Sequence, residues 1–231
     1  MVRKFDKNMF IMLLSIMVGA IIITYFVADL VRMSQIEEIE EKYTQEIEDI
    51  EKKNVNFTSQ FLDSLVSLNL AKEFRMYGEI NYNIAYTFYK TILSETNEVR
   101  FSEYKNYTIE NCTDAMSNFW YSYLNFNDSI KNFAKSKEYT NYDVYLGLGD
   151  LYINLSKSGA KLMNLRYNVS MYLRDLSELL IFDNNTVKFS QNVSELLNQF
   201  NETLADFLIE DGIYSDLIDE IDLYELHDQI R

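Results

Sequence analysis

The sequence predicts an all-α chain with one N-terminal transmembrane helix, followed by a juxtamembrane helix and an extracytoplasmic helical bundle or irregular array of helical hairpins. Three observations carry that expectation. The 231 residues contain no proline and six glycines, so little interrupts long helices or punctuates strands. A run of twenty uncharged residues, Met9 to Ala28, stands between Lys7 and Asp29. Elsewhere apolar residues recur at spacings of three and four, and no convincing series of short alternating strands is found.

The anchor comes first. At 1.5 Å per residue, residues 9–28 span roughly 30 Å, the thickness of bilayer hydrocarbon. Eleven of the twenty are Leu, Ile, Phe or Val, which favours insertion by roughly 5 kcal/mol at most. Arg3, Lys4 and Lys7 precede the run, whereas from Asp29 onward 35 acidic residues face 18 basic ones. Positive charge collects on the cytoplasmic flank, so residues 1–8 are expected inside and everything beyond residue 28 outside. Tyr25 and Phe26 fall near the outer boundary, where amphipathic aromatics gather, and Arg32 can reach back to the headgroups. Val18 and Ala20 match a small-residue cleavage pattern, but the eight further uncharged residues favour an uncleaved, single-pass signal anchor in the cell membrane.

Residues 29–55 read as an acidic juxtamembrane helix. Ile36, Ile39, Tyr43, Ile47 and Ile50 are spaced 3, 4, 4 and 3, a narrow apolar seam on a charged rod. The seam suits either a second copy or the body of the same chain. Residues 56–231 form the expected outer domain. Its first part, rich in Phe57, Phe61, Leu65, Leu68, Phe74, Tyr82, Phe88 and Ile92, reads as two helices or one kinked at Gly78. Further helices are expected at about 107–137, 141–156, 160–182, 187–209 and 214–229. The turns between them are signalled by Lys157-Ser158-Gly159, Asp183-Asn184-Asn185 and Asp211-Gly212. Over 187–208, Phe189, Val193, Leu196, Phe200, Leu204 and Phe207 mark the buried face.

Two stretches resemble tetratricopeptide repeats. Gly78 to Leu93 is similar to the second helix of such a repeat in the placement of Tyr82, Ala85, Tyr89 and Leu93. Tyr145 to Tyr152 looks like a first helix, through Gly149 and Tyr152. The resemblance implies helical hairpins around residues 65–93 and 145–173. The closing proline and a regular 34-residue period are missing, and small residues at helix crossings account for the same letters.

The sequon Asn-X-Ser/Thr occurs nine times, at Asn56, Asn106, Asn111, Asn127, Asn154, Asn168, Asn184, Asn192 and Asn201, where the chain's own content of Asn, Ser and Thr predicts about three. None falls in the first 55 residues. These asparagines are the candidate glycan acceptors, and their placement agrees with the topology drawn from charge. An outward-facing chain with one cysteine, Cys112, has no internal disulfide. That combination tilts the expected source towards an archaeal cell surface.

Composition also excludes. A net charge of −15 without a concentrated Lys/Arg face argues against a nucleic-acid partner. Cys112 reads as a small buried residue and His227, the one histidine, as a solvated tail residue. No HExxH, paired CxxC, Gly-rich phosphate loop or GxSxG is found, and the acidic run from Glu202 to Asp228 lacks the EF-hand ligand pattern. Tyr121, Tyr123 and Phe126 near Trp120 suggest a sugar-binding surface or, more simply, core. No catalytic residue, cofactor or metal is therefore expected. The functional expectation is a structural or protein-interaction role for a membrane-anchored, glycosylated helical protein in contact with the bilayer and with a partner or a second copy. The alternatives are an accessory or sensor subunit of a membrane complex and a cell-envelope enzyme.

Overall fold

A computed structural model describes residues 7–229, with side chains from 12 to 224. The described chain is 88% helical. Its elements are α1 (Lys7–Ile92), α2 (Glu98–Lys137), α3 (Asp143–Glu178), a hairpin of β1 (Leu180–Asp183) and β2 (Thr186–Phe189), and α4 (Ser194–Gln229). The chain divides into two compact units, one ending at Lys53 and the other beginning at Asn54.

The described part of the first unit is the N-terminal portion of α1. From Met12 its apolar side chains are almost all exposed: Ile21, Ile22 and Ile23 are 61–66% accessible and Phe26 is 67%. By length and composition α1 holds a segment apolar enough to cross a membrane, and none of that segment is buried. Ile36, Ile39, Tyr43, Ile47 and Ile50 are exposed as well. The basic side chains of Arg3, Lys4 and Lys7 lie outside the described residues.

The second unit is an up-down-up-down four-helix bundle, as short connections dictate. Ring pairs trace the directions. Phe61 meets Phe133, Phe74 meets Tyr121 and Phe88 meets Tyr104, so α1 and α2 are antiparallel. Phe133 stacks on Tyr152 and Trp120 nears Tyr167, which sets α3 antiparallel to α2. Tyr224 donates to the Val144 carbonyl (3.1 Å) while Glu210 meets Ser158 (2.6 Å), so α4 runs against α3.

The core repeats every seven residues. On α2 the buried positions Cys112, Ala115, Phe119, Ser122, Phe126, Ser129, Phe133 and Ser136 alternate steps of three and four, the seam of a coiled-coil-like bundle. Large residues alternate with small ones. On α1 the fully buried small positions Ser64, Ala71 and Ala85, with Gly78, keep the same step of seven. The buried serines cost little because each hydroxyl is satisfied: Ser64 and Ser177 bond carbonyls four residues back, Ser122 reaches the Ala71 carbonyl at 2.6 Å, and Ser129 pairs with Ser156 at 3.1 Å.

That packing corrects the expected helix breaks. A side chain at Gly78 would come within 2.5 Å of the Phe119 ring, and one at Gly159 equally close to Phe126. Both glycines admit a core ring at a helix crossing, and α1 and α3 run straight through. Ser158 is not a turn residue either, since its hydroxyl donates to Glu210. Asp211 and Gly212 likewise lie inside α4, where Arg75 binds Asp211 at 2.6 Å. The segments similar to tetratricopeptide repeats are consequently parts of single long helices and not hairpins.

Helix α2 starts at Glu98, earlier than the expected 107. Asn97 caps it, its side chain accepting from the Arg100 N–H at 3.0 Å. The helices expected to end at 182 and begin at 187 give way at both ends to the β1–β2 hairpin, with Leu180 opposite Phe189 and Asp183 opposite Thr186. Only the turn between them is where the sequence placed it. Asn184 and Asn185 have φ of 52° and 62°, as a two-residue type I′ turn requires, and Asn tolerates that region better than most residues. Lys105 of α2 donates to the Glu178 and Leu180 carbonyls (2.8 Å each), which closes the C-terminus of α3 with a cation.

Candidate functional site

Two buried charged residues, Arg166 and Glu210, organise the α1–α3–α4 side of the bundle. Arg166 of α3 is 6% exposed. Its guanidinium lies 3.7 Å from the Tyr82 ring centre and 4.4 Å from that of Phe207, and it grips Glu79 of α1 through both carboxylate oxygens. A flat, weakly hydrated, permanently charged group suits such a slot, and two-point pairing fixes its angle. Burial pushes the Tyr82 phenol up to about 12, against the opposing pull of the Arg166 charge.

Glu210 of α4 is 4% exposed and accepts from Ser158 at 2.6 Å and from Lys161 at 2.5 Å. Burial opposes its ionisation, but the two hydrogen bonds and the Lys161 charge prevail, so its pKa lies below the ordinary carboxylate value. One turn on, Arg75 pairs with Asp211 and covers the Tyr214 ring at 4.8 Å. Burial raises the Tyr214 pKa and Arg75 partly offsets that, while among the described residues the hydroxyl has no partner at hydrogen-bonding geometry. Beside it a cleft of about 470 Å³ opens between α1 and α4, walled by Lys72, Met76, Ile80, Tyr214 and Ile218. Another, of about 580 Å³, lies against Asn54, Phe57, Tyr142 and Tyr145.

A third cleft, of about 510 Å³, separates α2 from α3 and is different in kind. Thr113, Met116, Ser117 and Trp120 come from α2, and Asn164, Tyr167 and Asn168 from α3. None of these is charged. Trp120, the single tryptophan, is 49% exposed, stacks on Tyr123 at 5.3 Å and 19°, and meets Tyr167 at 6.5 Å and 60°.

Asn106, Asn154, Asn184, Asn192 and Asn201 are exposed, while Asn56, Asn111, Asn127 and Asn168 are half-buried; all nine reach the surface. Of the aromatics grouped with Trp120, only Tyr123 joins it. Phe126 is core and Tyr121 packs against Phe74 of α1 instead. Tyr167 completes the cluster and escaped sequence reasoning, because no local signal links it to a tryptophan on another helix. Cys112 is fully buried and burial pushes its thiol up to about 12, as befits a packing residue and not a nucleophile. The His227 side chain lies outside the described residues. Among the described residues no three His, Cys, Asp or Glu side chains converge as metal ligands would.

Comparison of the chain with protein-family models, with curated proteins and with solved structures finds no match.

Proposed function

We propose that this chain is a membrane-anchored helical protein whose bundle works outside the cell in a structural or protein-interaction role. One observation carries the reading: the apolar residues from Met12 to Val31 are exposed, while the bundle from Asn54 on closes a core of its own. A run of that length left bare in water would aggregate; a bilayer is the solvent that matches it. The charge step across the run points the N-terminus inwards, and the surface-reaching sequons fit an outer compartment. The exposed seam from Ile36 to Ile50 supports a helical partner, for an apolar stripe on a charged rod is what helix pairing uses.

Orientation is testable with the chain's own chemistry, since buried Cys112 is a poor target for maleimides. Ser34→Cys is expected to react with a membrane-impermeant maleimide on intact cells, and Asn8→Cys only after permeabilisation. The opposite pattern inverts the topology. Labelling of both on intact cells removes the anchor altogether.

A further inference from the structure

We propose that the α2–α3 cleft around Trp120 binds a neutral pyranose sugar. A pyranose has a face of C–H groups and an equator of hydroxyls, so its binding site needs an open aromatic face beside neutral donors and acceptors. The cleft presents both. Trp120 is held by its stacking on Tyr123, is half-exposed where it lines the cleft, and has Tyr167 at 60° to it as a second wall. The pattern is that of a small-molecule site, aromatic walls with a few placed polar groups.

The polar groups are of the right type. Thr113 and Ser117 spend their hydroxyl protons on carbonyls four residues back, at 2.8 and 3.1 Å, which leaves their oxygens as acceptors. Among the described residues the side-chain amides of Asn164 and Asn168 make no hydrogen bond to the protein, so each offers two N–H donors and a carbonyl acceptor. In a chain of net charge −15, a cleft lined wholly by uncharged groups disfavours ionic ligands more than hydroxylic ones, for which every donor and acceptor has a use.

The sugar has two possible sources, and Asn168 separates them. As an acceptor in its own sequon it can carry a glycan whose first residues lie over Trp120; a free or foreign glycan enters the same cleft when Asn168 is bare. Only the first source depends on the outer location proposed above, so failure of that reading leaves the second intact.

The full chain is produced in a host without N-glycosylation and purified in a detergent lacking a sugar headgroup. Its single tryptophan makes intrinsic fluorescence a report on Trp120 alone. If the source is foreign, titration with neutral oligosaccharides gives a saturable shift, and Asn164→Ala raises Kd about tenfold or more with the thermal melt unchanged. If the source is the protein's own glycan, free sugars give no shift, but chain from the native host has a shifted Trp120 emission that reverts on enzymatic deglycosylation and in Asn168→Gln. Absence of a saturable shift with any neutral sugar, together with identical emission from glycosylated and unglycosylated chain, overturns the proposal. So does tighter binding of an anionic or purely apolar probe than of any sugar.

Discussion

Gly159→Ala is expected to destabilise the bundle, although helix propensity alone argues the reverse. Alanine is preferred over glycine inside a helix by about 1 kcal/mol. A Cβ at position 159, however, would lie 2.5 Å from Cε1 and Cζ of Phe126 and 2.8 Å from its Cδ1, where carbon contacts settle at about 3.5–4.0 Å. The ring has little freedom to retreat: Phe126 is fully buried, with Tyr214 edge-on at 6.0 Å. Overpacking of a tight core costs about 1–3 kcal/mol, and three short contacts to one ring place this case at the upper end. The net loss is about 1–2 kcal/mol, or roughly 2–8 °C in Tm for a domain of this size. Far-UV circular dichroism of the full chain in micelles measures it. Phe126→Leu added to Gly159→Ala should cost less than the two single changes together, because the smaller side chain clears the clash. A rise in Tm for Gly159→Ala alone would refute the close crossing of α2 and α3.

Three further outcomes follow from the same geometry. Arg166→Ala strands the Glu79 carboxylate and empties the slot between Tyr82 and Phe207, a loss of about 3–5 kcal/mol; Arg166→Met with Glu79→Gln should recover most of it, as denaturant midpoints will tell. Glu210 has a folded pKa below its unfolded value, so its contribution is present above about pH 4.5 and lost as pH falls through the folded pKa. Glu210→Gln should therefore weaken the protein at neutral pH and flatten the acid limb of stability against pH, whereas an unchanged acid limb would count against the Ser158–Glu210–Lys161 cluster. Asn185→Gly places the preferred residue at a φ of 62° and should be neutral to stabilising by up to about 1 kcal/mol, while Asn185→Val should destabilise.

The helical class was legible because the absence of proline and the spacing of apolar residues both act locally. The heptad was harder to see. Ser122, Ser129 and Ser136 occupy core positions on α2, and in a pattern built from apolar letters they read as surface; only the carbonyls and hydroxyls they meet make them inexpensive to bury. Lys157-Ser158-Gly159 carries the letters of a turn, yet Ser158 serves Glu210 and Gly159 serves Phe126, both supplied by other helices. The hairpin was half legible: the Asn-Asn turn was read, but Ile181 and Val187 fit a helical period as well as an alternating one, and β pairing won because the turn sets the register. Trp120 stood out as the single tryptophan, whereas Tyr167, Asn164 and Asn168 join it only through the packing of α3 on α2. Glu79 and Arg166 are 87 residues apart, and nothing local in either segment announces the other.

Alkaline carbonate extraction of membranes from expressing cells probes most directly whether the apolar run is an anchor. The intact chain should stay with the lipid. Changing Ile21, Ile22 and Ile23 to lysine costs about 2.5–3.5 kcal/mol each, more in total than the run's insertion energy, and should release the protein. Recovery of the intact chain in the carbonate supernatant would contradict the anchor.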